Sequence, residues 1–224
     1  MDQRTYALLE GYMLSCMADA AHDKDHVYRV LMGALAIAEG NSDVNTDVLI
    51  AACLLHDVAR PIQLRDPSIC HAMKGAEMAR SFLLQQGFPA DFADHVHHCI
   101  QTHRFRKSCQ PQSLEAKILF DADKLDVCGA IGIARTLIYN GTVGRALYTA
   151  QDGCILDGSG DEPDSFFREY KFKLENIYGH FYTQEGRAMA ESRRAAATAY
   201  YTALLGEVRD TAERGREALE KLLC

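Results

Sequence analysis

The apolar run VLIAACLL, Val48 to Leu55, stops at a histidine and an aspartate, His56 and Asp57. Eight consecutive apolar residues belong inside a core, so His56 and Asp57 must emerge at its edge. A carboxylate taken out of water there costs several kcal/mol unless something pairs with it. The rest of the chain has to supply that partner.

The pattern around the run is helical almost throughout. From His26, the residues Val27, Val30, Leu31, Ala34, Leu35 and Ala38 recur at the spacing of one helix face. Gly40-Asn41 stops that helix, and Asn45-Thr46-Asp47 can cap the next. Pro61 is expected to end that second helix at or near Ala59. Further helices are expected from about His71 to Gln86, from Pro89 to about His103, and from about Glu185 to Leu223. SLEAKILFDADKLDVCGAIGIARTLIY reads as one or two helices, with Gly129 and Gly132 as close-packing or kink positions. RFRKSCQPQ and the Gly- and Asp-rich stretch QDGCILDGSGDEPD, 151–164, read as loops. No strand-type alternation and no repeat appears. The fold class expected is all-α, a single-domain helical bundle over residues 1–224, with the site's core at 20–135 and a C-terminal helical extension at 165–224.

A net charge of −7 argues against broad nucleic-acid or anionic-membrane binding. It leaves room for a small phosphorylated substrate, which needs only a local cluster of Lys and Arg. No apolar run reaches the ~18–20 residues that span a bilayer, and MDQRTYALLEGY does not read as an export signal. The eight cysteines are scattered, with no zinc-knuckle or redox pair. The expectation is a cytoplasmic protein.

Three other segments could meet His56 and Asp57. Upstream, AHDKDHVYRV holds His22, Asp23, Asp25 and His26; downstream, FDADKLD holds Asp121, Asp123 and Asp126; between them lie His71, His98 and His103. A divalent cation held by two imidazoles and two carboxylates would satisfy the buried charge. Which of the three downstream aspartates takes part is open from the residues alone.

In this order, HDKDHVYRV, AACLLHDVA, HAMKGAEMA and DADKLDVCGAIGIARTL resemble the HD-domain metal-dependent phosphohydrolase superfamily, and within it the small bacterial predicted HD-superfamily hydrolases. FKLENIYGHFYTQEGRAMAESRR extends the resemblance over nearly the whole chain. The resemblance implies His26, His56, Asp57 and Asp123 as ligands of one divalent ion, with Mn, Fe, Co, Ni, Zn and Mg unresolved. Asp121 and Asp126 remain rivals of Asp123, and Asp126 can instead orient a ligand or a water. In His-rich relatives extra histidines bind a second metal bridged by the aspartate at Asp57. Here His71 and His103 are read first as binding substrate phosphate or a metal-bound water, with a second metal left open.

Asp57 and Lys124 are the catalytic candidates. Among the phosphate clamps Arg29 and Lys124 rank ahead of Arg60, Arg104 and Arg106. The activity implied is hydrolysis of a nucleotide, a nucleoside triphosphate included, or a similar small phosphate ester by a metal-activated water. Two alternatives stand beside it: a non-catalytic nucleotide-binding regulatory module, and a di-iron oxygenase that needs the extra histidines as ligands. A homo-oligomer is left open.

Overall fold

The structure, a computed structural model, describes residues 1–17, 24–104, 106 and 109–223. It divides into two compact units, Met1–Asp126 with Phe181–Gly186, and Val127–His180 with Arg187–Cys224.

The first unit carries α1 (Gln3–Cys16), α2 (Lys24–Ala38), α3 (Thr46–Leu55), α4 (Arg60–Arg65), α5 (His71–Gln85), α6 (Ala90–Thr102) and α7 (Leu114–Leu125). Short polar side chains begin three of them. Asp2 accepts from the Thr5 amide at 2.7 Å, Asn45 from Val48 at 3.2 Å, and Ser113 from Ala116 at 3.2 Å. Each such cap contributes about 1 kcal/mol. The apolar run forms α3, which is buried on nearly every side. A helix with no polar face has to be central. Accordingly α3 packs against α1, α2, α5, α6 and α7.

α3 ends earlier than the sequence suggests. It stops at Leu55, residues 56–59 form a turn, and Pro61 opens α4 instead of closing α3. Proline fits the first turn of a helix because the N–H it lacks there has no helical partner. The break takes His56 and Asp57 off a straight helix, on which their side chains would diverge by about 100°. Gly75 on α5 sits against this turn, where a Cβ would lie 3.3 Å from the His56 carbonyl oxygen.

The second unit holds α8 (Gly129–Thr142), a two-residue hairpin of β1 (Ala150–Gln151) and β2 (Cys154–Ile155), α9 (Phe166–Glu169), a π turn at Tyr170–Leu174, a 3-10 turn at Ile177–Gly179, and most of α10 (Gln184–Leu223). The hairpin lies in the stretch read as loop. Asp152 and Gly153, both at positive φ, make its tight turn. Phe166, Phe167, Tyr170 and Tyr201 centre the core, with Tyr170 and Tyr201 stacked at 4.1 Å. Gly129 has φ +64°, and a Cβ there would lie 2.7 Å from Arg193 Cβ, so both backbone and space demand glycine. At Gly132 a Cβ would meet the Val127 carbonyl oxygen at 2.2 Å.

Candidate metal centre

Helix ends deliver the site. His26 comes from the first turn of α2, His56 and Asp57 from the turn after α3, and His71 from the start of α5. His103 caps the C-terminus of α6, and Asp123 lies in the last turn of α7. All are buried except Asp123, which is half-buried.

Two clusters result. His26 Nε2 lies 3.4 Å from His56 Nε2 and 3.3 Å from Asp123 Oδ1. His71 Nε2 lies 3.3 Å from His103 Nε2 and 3.2 Å from Asp57 Oδ1. Asp57 stands between them. Its Oδ2 is 3.8 Å from Nε2 of both His26 and His56, while its Oδ1 is 3.8 Å from His103 Nε2. Each set, His26–His56–Asp123 and Asp57–His71–His103, could hold a cation.

The far nitrogens of the rings show which atoms face the clusters. His56 Nδ1 donates to the Cys53 carbonyl at 2.7 Å, and His103 Nδ1 to the Ile100 carbonyl at 2.6 Å. A carbonyl only accepts, so these rings carry their proton on Nδ1. His71 Nδ1 donates to Gln63 Oε1, which also accepts from Arg60 Nη1 at 3.3 Å. His26 Nδ1 donates to Asp126 Oδ2 at 2.7 Å, and Arg29 grips the same carboxylate through Nε at 2.7 Å and Nη2 at 3.0 Å. Such partners behind a ring fix its tautomer and aim Nε2 at a metal. Two neutral rings whose Nε2 lone pairs meet at 3.3 Å, as in His71 and His103, repel each other unless a cation lies between them. The donor set, imidazole nitrogen with carboxylate oxygen, fits a divalent transition metal.

Electrostatics follow the same geometry. Burial alone would lower the His26 pKa, but hydrogen bonds to Asp123 and Asp126 outweigh it and raise the pKa to about 9. Burial dominates at His71, pushed down to about 4, and at His103, pushed down to about 3. Burial would raise Asp57, yet His56, His26, His71 and His103 together hold it well below the carboxylate range. Asp123 is also drawn down, against burial, by Lys124 and His26.

The other candidates fall into place around this centre. Lys124 Nζ lies 2.6 Å from Asp123 Oδ2. Asp121 is turned elsewhere, accepting from the Tyr182 amide at 2.9 Å, the Thr183 amide at 2.7 Å and Thr183 Oγ1 at 2.6 Å. His97 and His98 join neither cluster, and His95 pairs with Glu115 at 3.0 Å. His22 and Asp23 lie outside the described residues. Gln63 is a participant that sequence reasoning passed over; a single glutamine in RPIQLR carries no signal. The Cys53 and Ile100 carbonyls recur three residues before His56 and His103, a local pattern open to sequence reading once the helix ends are known.

The family model for the HD domain matches residues 24–128. The uncharacterized protein YpgQ of Bacillus subtilis (strain 168) is 30% identical over 178 residues, 78% of each chain. Its crystal structure in complex with ADP aligns with a TM-score of 0.68 at 25% identity, over 91% of this chain and 95% of that one. A Lactobacillus plantarum crystal structure gives a TM-score of 0.73 at 25% identity, over 92% and 98%. A predicted HD superfamily hydrolase from an uncultured Thermotogales bacterium gives 0.59 at 28% identity, over 89% and 90%.

Proposed function

The chain belongs to the HD-domain family, and on that footing we propose that His26, His56, Asp57 and Asp123 hold one divalent ion, with His71 and His103 placed to hold a second through Asp57. The protein is a metal-dependent hydrolase of nucleotides or similar phosphate esters. One observation carries this reading: the Nε2 atoms of four buried histidines converge on the two oxygens of Asp57. The complex of YpgQ with ADP supports a nucleotide as substrate.

When bound, the ion supplies an activated water and positive charge against the phosphoryl oxygens. The chain's own residues do the rest. Asp57, ionised and flanked by both histidine pairs, accepts a hydrogen bond from the attacking water and orients it. Lys124, held by Asp123, keeps an ammonium at the edge of the site to offset charge on phosphate. Burial of His56 and His103 excludes bulk water, which strengthens each of these interactions.

The seven described cysteines are free thiols, and no described helix is long and apolar enough to cross a membrane. The free thiols support a cytoplasmic setting.

Elemental analysis of the purified protein, followed by a phosphate-release screen of nucleoside mono- and triphosphates with Mn, Ni, Co and Mg added singly, tests the function. Bound metal with metal-dependent release is expected; bound metal and no release from any ester overturns it. The Asp57–His71–His103 cluster favours one second reading, a di-iron oxygenase. Two irons per chain without phosphate release is its signature.

A further inference from the structure

Three cations at the His71 end of the centre pair with no carboxylate among the described residues. Among the described residues, Arg60, Arg104 and Arg106 form no ion pair, although acidic side chains outnumber basic ones in this chain. Arg60 Nη1 touches Gln63 Oε1 at 3.3 Å and lies 3.2 Å from His71 Nδ1. Arg106 Nη2 lies 2.9 Å from Cys70 Sγ, and Arg104 reaches the same sulfur. Arg60 and Arg104 both act electrostatically on His71.

Two further facts aim this corner at an anion. Cys70 stands at the N-cap of α5, a helix of 15 residues whose first turn has no side-chain cap hydrogen bond. The Ala72 and Met73 amides of that turn point at the Cys70 sulfur, so the positive end of the helix dipole and the arginines meet there. Second, the acceptor that Arg104 and Arg106 share is a thiol, and sulfur is a weak acceptor. Phosphate oxygens are far better ones, and guanidinium matches them in both charge and shape. By contrast Arg29 is taken up by Asp126.

We propose that Arg60, Arg104 and Arg106, with the N-terminus of α5, form an anion subsite that takes the phosphates of the substrate not under attack. A monoester's single phosphate is met at the metal centre; three further guanidinium charges suit a di- or triphosphate chain. The assignment to substrate rests on the hydrolase reading, while the subsite itself needs no metal.

The test is calorimetric titration of the full chain, stripped with EDTA and dialysed, with inorganic tripolyphosphate and inorganic phosphate. Wild type is expected to bind tripolyphosphate at least tenfold more tightly than phosphate, and more weakly as salt rises. Arg104→Gln/Arg106→Gln is expected to lose tenfold or more with an unchanged unfolding midpoint. Arg104→Lys/Arg106→Lys, which keeps the charge but loses the guanidinium fork, is expected to lose less than the glutamine variant. No binding by wild type, or equal binding by wild type and the glutamine variant, overturns the subsite. ADP titrated in place of tripolyphosphate separates a nucleotide's chain from a free one, and the glutamine variant must weaken whichever binds. Phosphate release by the metal-loaded wild type is read separately. Its absence, with variant-sensitive tripolyphosphate binding intact, sinks the hydrolase and leaves the subsite standing.

Discussion

Asp126 Oδ2 lies 2.7 Å from His26 Nδ1, and Arg29 holds both oxygens of that same carboxylate. The pair fixes His26 from behind and leaves its Nε2 for the centre. Asp126→Asn keeps the shape but removes the charge that favours Nδ1–H. Metal affinity is expected to fall by about 10–100-fold, read by competition against a chromophoric chelator. An affinity within twofold of wild type would mean that Asp126 serves the fold alone.

Asp57 faces both histidine pairs. Asp57→Ala is expected to abolish metal retention and phosphate release together. Elemental analysis and a turnover assay on the same sample check it. Full activity of that variant after metal depletion defeats the assignment.

Asp121 separates a structural aspartate from the ligands on its own helix. Asp121→Ala strands the three donors from Tyr182 and Thr183. The donors are only part-buried, so the loss costs about 1–3 kcal/mol in all, and thermal unfolding should move down by several degrees. Metal content should stay at the wild-type value. Loss of metal from a variant that remains folded would return Asp121 to the ligand set.

In metal-free protein, hydrogen bonds to Asp123 and Asp126 outweigh burial and raise the His26 pKa to about 9, from an ordinary imidazole value of 6.5. Over that interval the folded chain holds a proton that the unfolded chain has released. Its contribution to stability is complete below about 6.5 and is lost as pH rises through about 9. The same proton competes with a cation at Nε2. Metal affinity should therefore climb with pH, by up to about tenfold per unit, and level off above about 9. His71 at about 4 and His103 at about 3 are neutral across this range and add no slope. Titration calorimetry in two buffers of different ionisation enthalpy measures the released proton directly; a flat affinity profile contradicts this account.

Much of this arrangement was legible in the sequence because helices write their period and their ends plainly. The stripe after His26, the cap at Asn45 and the apolar run of α3 placed His26, His56 and Asp57 at helix ends, where the structure has them. The aspartates of α7 were harder. Asp121, Asp123 and Asp126 sit on one helix and its cap, and only the packing decides which faces the histidines. Asp121 turns to the Tyr182–Thr183 backbone, Asp126 to the back of His26, and Asp123 to its front. The hairpin at Ala150–Ile155 escaped because two-residue strands are too short to show alternation. Arg60, Arg104 and Arg106 rank only behind Arg29 and Lys124 as phosphate clamps in the sequence, since a missing partner leaves no mark there.

One carboxylate serving two histidine pairs ties their loading together. A first cation that draws Asp57 toward one pair takes that oxygen's freedom from the other, and its charge is felt across the span of a single side chain. The two halves of the centre should fill as a coupled system, so that the first equivalent of metal sets the terms on which the second is accepted or refused.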